Sequence, residues 1–248
     1  MKDPLADIKV VNKMRKNSSM LNWFPLVQGC GVPMPETYFI KLSEREARSG
    51  EDFLASIVNK KIYDKILRLQ KQYSLGYPFF MRTDQTSGKH SFSKTCCVVS
   101  KENIHANLCK LVWFSRNADI LGLPLGAIVA RRFIPLAALF TAFMEMPIAP
   151  ERRFFVRDGE VECRHPYWPE DSIKRPSVEN WQELLRKMNT LGDEIPILDE
   201  YARTLGAKLP GYWSLDFALG KDGMWHFIDA ALGDISFHDP LCSFSNQK

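Results

Sequence analysis

Close metal-ligand spacings are missing from this 248-residue sequence: its six cysteines include no CxxC pair, and the adjacent Cys96-Cys97 lies in an apolar run. That pattern points away from a disulfide framework and towards buried thiols in a reduced, cytoplasmic compartment. The first residues, MKDPLADIKVVNK, contain no apolar signal core. No long uninterrupted apolar run exists either. The most apolar region, Ile120 to Pro150, is broken by Arg131, Arg132, Glu145 and several prolines, so no membrane span and no membrane partner are expected. A large excess of charge of one sign is missing as well. A net charge of +4 is small for this length and gives no support for a nucleic-acid partner. GxSxG, HExxH, KxDG and GxxxxGK[ST] are all absent, which removes the sequence signatures of four common chemistries. Internal repeats and low-complexity tracts are absent too.

What is present is a mixed set of strands and helices with two clear hairpins. Thr37 to Leu42 reads as a strand after Gly29, Gly31 and Pro33. Apolar residues recur at helical spacing from Gly50 to Tyr73, and Gly76-Tyr77-Pro78 ends that helix. Phe79 to Arg82 and Thr95 to Val99 read as short strands around the polar loop Thr83 to Ser91. Ser100 caps a helix running to about Asn117, and Leu125 to Phe133 reads as a buried strand. Glu151 to Arg157 and Glu160 to His165 form a hairpin around Asp158-Gly159. Strict alternation puts Glu151, Arg153, Phe155, Arg157, Glu160, Glu162 and Arg164 on one face of it, with Phe154, Val156, Val161 and Cys163 on the other. Helices are expected from Pro176-Ser177, burying Trp181, Leu184, Leu185 and Met188, and from Asp193 to Leu209. Strands and helices intermix without regular βαβ alternation, so the fold class is α+β.

The last hairpin carries the most chemistry. Trp213 to Leu219 and Met224 to Asp229 flank the turn signal Gly220-Lys221-Asp222-Gly223. A two-residue Asp222-Gly223 turn places Asp216 directly opposite Asp229; a four-residue loop makes them diagonal neighbours. Either register puts both carboxylates on one face and His226 on the other. Two carboxylates on an apolar hairpin repel and are costly to bury. A divalent cation relieves that cost, and Mg²⁺ is commonly held by one or two carboxylates plus substrate phosphates. Asp234 is a candidate third ligand or a turn residue; His238 and Asp239 lie beyond it with no assignable role. Arg153 is either a surface ladder residue or a planar cation suited to phosphate oxygens. The loop containing Thr83, Thr86, Ser87, Gly88, Lys89, His90 and Ser91 offers hydroxyls, backbone N–H groups and a lysine that could wrap phosphates, or is a solvated hairpin loop.

Taken in order, these pieces resemble the ATP-grasp superfamily over about residues 21–235. QGCGVPMPETYFI is similar to the start of that family's first domain, PFFMRTDQTSGKHSF to its strand and mobile phosphate loop, and AIVARRFIP to its adenine-cradling hinge strand. APERRFFVRDGEV resembles its hairpin with a phosphate-binding arginine, and YWSLDFALGKDGMWHFIDA its two metal-ligand strands. The resemblance implies an ATP-grasp fold of two α+β subdomains enclosing a nucleotide cleft. It divides the chain into a small N-terminal domain (1–75), a small subdomain with the phosphate loop (76–135) and a large subdomain with the metal hairpin (136–248). It also implies ATP and Mg²⁺ as cofactors. Arg82, Ser87, Gly88 and Lys89 fall to the phosphates, Arg131, Arg132, Phe133 and Ile134 to adenine, Arg153 and Lys89 to catalysis, and Asp216, Asp229 and Asp234 to the metal.

Two departures stand out. The family pattern Glu-x-Asn at the second metal strand is Asp229-Ala230-Ala231 here, and Arg82 replaces a lysine. The implied activity is an ATP- and Mg²⁺-dependent carboxylate–amine ligase working through an acyl phosphate, with a carboxylate and a nucleophile, a peptide or protein among the candidates, as substrates. The alternatives are a non-catalytic ATP-binding interaction or assembly module and, below it, a nucleic-acid ligase.

Overall fold

The structure is a computed structural model and describes residues 18–43, 46, 57–118, 125–240 and 242–244. Those residues form two compact units. The first contains residues up to Leu21, the described part of Pro35–Phe133, and Phe143–Met146; the second contains Asn22–Met34, Ile134–Ala142 and the residues from Pro147 onward. Among the described residues no helix is long and apolar enough to cross a membrane.

The first unit is built on a four-stranded antiparallel sheet. Its strands are β1 (Thr37–Lys41), β2 (Phe79–Thr83), β3 (Cys97–Val98) and β4 (Ala127–Arg132), in the order β1-β4-β2-β3. The helix α1 (Met20–Val27) precedes them, its first two residues lying in this unit and the rest in the other. Two helices, α2 (Ile57–Gln72) and α3 (Asn103–Ala118), cover the sheet. Ile62 and Ile66 of α2 and Leu108 and Leu111 of α3 are fully buried with Phe79 and Met81 of β2, so the helical spacing of these residues is the spacing of one apolar stripe. The expected helix over Gly50–Tyr73 is described from Ile57 to Gln72; its first turns, with Phe53 and Leu54, lie outside the described residues. The strand expected at Thr95–Val99 is shorter, because Thr95 caps the preceding turn instead of pairing.

The second unit holds another four-stranded antiparallel sheet. It comprises β7 (Glu151–Arg157), β8 (Glu160–Pro166), β9 (Tyr212–Leu219) and β10 (Trp225–Leu232), in the order β10-β9-β7-β8. A short pair, β5 (Phe140–Ala142) and β6 (Met146–Ile148), precedes it in the chain. Between β8 and β9 come α4 (Trp181–Asn189) and α5 (Ile195–Gly206). The start of α4 falls later than Pro176-Ser177, because Ser177 is engaged by β5: its amide donates to the Thr141 carbonyl and its Oγ accepts from the Thr141 amide. One face of this sheet is an aromatic core. Phe154 meets Phe217 edge-on at 5.5 Å, and Phe217 and Trp23 each lie 5.8 Å from Phe227. Such pairs add to the stabilisation from burial.

Two bulges set the faces of this sheet. In β8 the register passes from Phe155↔Cys163 to Val156↔Val161, leaving Glu162 as the extra residue. In β10 it passes from Phe227↔Phe217 to Asp229↔Asp216, leaving Ile228. A bulge re-aims every side chain beyond it. Strict alternation therefore mis-assigns Cys163, which shares the face of Arg153 and Phe155 rather than that of Phe154. It also mis-assigns His226, which pairs with Ala218 and so lies on the Asp216 face.

Candidate functional site

Register pairing lines up four residues across the second sheet, one per strand. Asp229 of β10 pairs with Asp216 of β9, Asp216 with Arg153 of β7, and Arg153 with His165 of β8. Directly paired antiparallel residues point to the same face, so the four form a continuous polar row opposite the aromatic core. The hairpin that carries the aspartates closes through five residues, Gly220 to Met224, rather than two or four. The Gly220 amide donates to the Met224 carbonyl, and the Asp222 carboxylate caps the loop by accepting from the Met224 amide and contacting His226 Nε2 at 3.0 Å. The bulge at Ile228 then restores the direct Asp216–Asp229 pairing.

Arg153 is the centre of the row. Its Nε and Nη2 each donate to one oxygen of Asp216, both at 2.8 Å, and its Nη1 donates to the Phe237 carbonyl at 3.2 Å. The guanidinium also lies 4.6 Å from the centre of the Tyr167 ring. Burial by itself pushes the guanidinium pKa down, but the charge and hydrogen bonds of Asp216 outweigh it and hold the value above the ordinary range. Asp216 thus meets an organic cation as well as its fellow carboxylate. Asp229 is half-buried, and one of its oxygens accepts from its own neighbour's amide, Ala230, at 3.1 Å. Burial and then the neighbouring His238 push His165 down to about 4. The far end of the row is therefore neutral at neutral pH.

The next row along the sheet reads Ala231, Ser214, Phe155, Cys163. Ala231 offers no ligand atom there. Asp234 is exposed on a 3₁₀ turn, Gly233–Ile235. The preceding Gly233 sits against the Tyr212 ring, so close that a Cβ on it would lie 2.4 Å from a ring carbon. Tyr212 is four residues from Asp216 along β9, roughly 13 Å at about 3.3 Å per residue. Asp234 is thus at a different part of the sheet from the Asp216–Asp229 pair.

In the first unit the loop after β2 is folded back on itself. Thr83 Oγ1 accepts from the amides of Gln85 and Thr86, and the Thr83 amide donates to the Thr86 carbonyl. Lys89–Lys94 forms a 3₁₀ turn with a break at Ser91. Gly88 opens it at φ +61, a conformation that favours glycine, and its carbonyl accepts from Thr95 Oγ1 at 2.7 Å. Arg82 is buried, its Nε donating to the Thr83 carbonyl. On β4, Arg131 is buried and donates to Thr37 Oγ1, whereas Arg132 is half-exposed and grips Glu36 with two hydrogen bonds of 2.9 and 2.6 Å. Phe133 closes the Pro35–Phe133 stretch of the first unit, and Ile134 opens the Ile134–Ala142 stretch of the second.

Two buried polar residues escape sequence reasoning. Asp84 accepts from Ser19 Oγ at 2.6 Å and from the Gly126 and Ala127 amides at 2.8 and 3.0 Å. Arg152, next to Arg153 but on the opposite face, donates to the Met188 and Thr190 carbonyls and to Glu194. Both are anchors for neighbouring chain segments, and neither shares the polar row.

Comparison with known proteins agrees with this architecture. The model of the ATP-grasp domain, R2K clade family 3, matches residues 72–237. The chain belongs to this family. No curated protein gives a significant sequence match. Among solved structures, C-terminally truncated Cdc123 from Schizosaccharomyces pombe is similar with a TM-score of 0.57 at 12% identity, over 89% of this chain and 85% of that one. Cdc123 from the same organism gives 0.53 at 12% identity over the same shares. The RimK domain protein ATP-grasp from Sphaerobacter thermophilus gives 0.46 at 13% identity, over 90% of this chain and 62% of that one. For the two Cdc123 structures the likeness is one of fold: α+β, with antiparallel sheets and packed helices, as the resemblance implies.

Proposed function

We propose that this ATP-grasp chain binds ATP with Mg²⁺ and acts as a ligase that activates a carboxylate for attack by an amine or similar nucleophile. The observation that carries the reading is the row Asp229–Asp216–Arg153, with two hard oxygen donors beside a fixed planar cation. The donor set fits Mg²⁺, which takes carboxylate oxygens alongside phosphates and water. Asp216 and Asp229 would hold the ion, which when bound supplies positive charge to the transferring phosphoryl group.

The chain's own residues have distinct parts. Arg153 is held rigid by Asp216 and Tyr167, so its guanidinium is preorganised towards γ-phosphate oxygens. Asp216 keeps that guanidinium oriented through two hydrogen bonds. Arg82, Ser87, Gly88 and Lys89 of the 76–135 segment are assigned to the nucleotide phosphates, with Lys89 adding charge at the transferring group, and Arg131, Arg132, Phe133 and Ile134 to adenine. The carboxylate substrate attacks the γ-phosphorus and ADP leaves; the nucleophile then displaces phosphate from the acyl phosphate.

A second reading, a non-catalytic ATP-binding interaction or assembly module, is favoured by one observation: the row beside Asp229 carries Ala231, whose side chain has no ligand atom. The two readings separate in an ADP- and phosphate-release assay with ATP, Mg²⁺ and panels of carboxylates, amines and peptides. Stoichiometric acceptor-dependent release that Arg153→Lys depresses supports the ligase; ATP binding with no release across the panels supports the module.

A further inference from the structure

The bulge at Glu162 has a second result. It turns Cys163 and His165, two residues apart on β8, to the face of Phe155 and Arg153. There they meet the segment after the last 3₁₀ turn, which brings His238 and Cys242. His238 lies 75 residues beyond Cys163 in sequence, yet its Nε2 is 3.2 Å from the Cys163 Sγ. Cys163 Sγ is 4.0 Å from His165 Nε2, and the four ligand atoms all lie within 4.8 Å of one another.

From this constellation we infer that Cys163, His165, His238 and Cys242 form a structural Cys₂His₂ zinc site. A tetrahedral zinc with bonds of about 2.0–2.3 Å separates its ligand atoms by roughly 3.3–3.8 Å. The 3.2 and 4.0 Å separations bracket that range, and with every pair within 4.8 Å the cluster needs a contraction of at most about 1.5 Å rather than a rearrangement. The ligand types select a soft to borderline divalent ion, unlike the oxygen donors of the Asp216–Asp229 pair. Two thiolates and two neutral imidazoles make the complex with Zn²⁺ electrically neutral, which suits a pocket where His165 and His238 are both buried.

Supporting contacts are in place. His238 Nδ1 faces the Asp239 carbonyl at 3.5 Å, which directs Nε2 to the cluster, the outer contact expected of a zinc-bound histidine. The His238 ring packs on Phe155 at 4.1 Å, and the Cys242 amide donates to the Asp239 carbonyl. Ser236 bonds Ser214 at 2.7 Å, and the Phe237 carbonyl accepts from Arg153. The zinc therefore fastens residues 236–240 and Cys242 against β8 and β9 and, through Phe237, steadies Arg153. Hydrogen bonds among thiols and imidazoles alone, or a Cys163–Cys242 disulfide, are the competing explanations of the same cluster.

The test is metal analysis of the full chain, produced without a histidine tag and exchanged into metal-free buffer. About one zinc per chain is expected, falling at least tenfold in Cys163→Ser/Cys242→Ser and unchanged in Cys30→Ser/Cys109→Ser. Cobalt(II) added to chelator-stripped wild-type protein should give the intense visible bands of a tetrahedral site with thiolate charge transfer in the near ultraviolet. These two wild-type readouts hold even where a cysteine variant fails to fold. Wild-type protein with no zinc, no tetrahedral cobalt spectrum and no change in thiol reactivity on adding zinc would overturn the proposal. A Cys163–Cys242 disulfide found by non-reducing peptide mapping of freshly isolated protein would overturn it too.

Discussion

Removing the guanidinium of Arg153 tests how the polar row is held together. Its partner Asp216 is a bidentate one, and the side chains are only 13% and 8% exposed. That places the pair in the buried regime, where deleting one partner strands an unpaired charge and costs about 3–5 kcal/mol. For a chain of this size, Arg153→Met should lower the melting midpoint of the unit that contains it by about 6–20 °C. Asp216→Leu should do the same. The double variant removes both charges and should recover to within about 1 kcal/mol of the parent, because a buried ion pair repays little beyond its own desolvation. Arg132 is the internal control. It too grips a carboxylate with two hydrogen bonds, but the two side chains are 42% and 54% exposed, so Arg132→Met should cost less than about 1 kcal/mol. Calorimetric melting of the five proteins decides the matter. A shift below about 2 °C for Arg153→Met, or a double variant whose loss is the sum of the singles, refutes the reasoning.

Two further outcomes follow from groups away from the row. Asp84→Ala leaves the Gly126 and Ala127 amides and Ser19 without their acceptor, and should cost about 2–4 kcal/mol in urea unfolding, with Asp84→Asn losing less because it keeps one acceptor oxygen. Tyr212 should ionise late in a spectrophotometric titration, at about 12, because burial and the Glu162 charge oppose the phenolate more than Arg157 favours it. Its raised pKa means the folded state keeps a proton that the unfolded state releases above about 10. Stability should therefore fall as pH rises from about 10 to about 12, and Tyr212→Phe should flatten that loss; an ordinary phenol titration in the native protein would contradict it.

Much of the fold was legible because it rests on local periodicity. The apolar spacing in α2 and α3 and the Asp158-Gly159 turn follow from short-range rules, whereas the direct pairing of Asp216 with Asp229 depends on the five-residue loop and the Ile228 bulge together. The places where those rules fail are the two bulges. Period-two alternation has no means of seeing Glu162 or Ile228 drop out of the ladder, so the faces of Cys163 and His226 came out reversed. The same blindness hides the Cys163–His165–His238–Cys242 cluster. Its two halves are brought together by the path of the chain after β10, which no spacing in sequence encodes. Arg153 shows another limit. Strand position gave it a phosphate or a surface ladder as partner, but only the β7–β9 register, set by strands more than fifty residues apart, reveals that Asp216 is its neighbour. The folded loop at Thr83–Thr95 was invisible for a related reason: its order comes from side-chain capping by Thr83 and Thr95, which composition alone does not distinguish from a solvated loop.

The central claim, that the Asp229–Asp216–Arg153 row serves a Mg²⁺-bound nucleotide, is tested most directly by calorimetric titration of the full chain with a non-hydrolysable ATP analogue, with and without Mg²⁺. The account predicts saturable binding at about one site per chain, weakened about tenfold or more without Mg²⁺ and again in Asp229→Asn. No binding, or binding indifferent to both Mg²⁺ and Asp229, would contradict it.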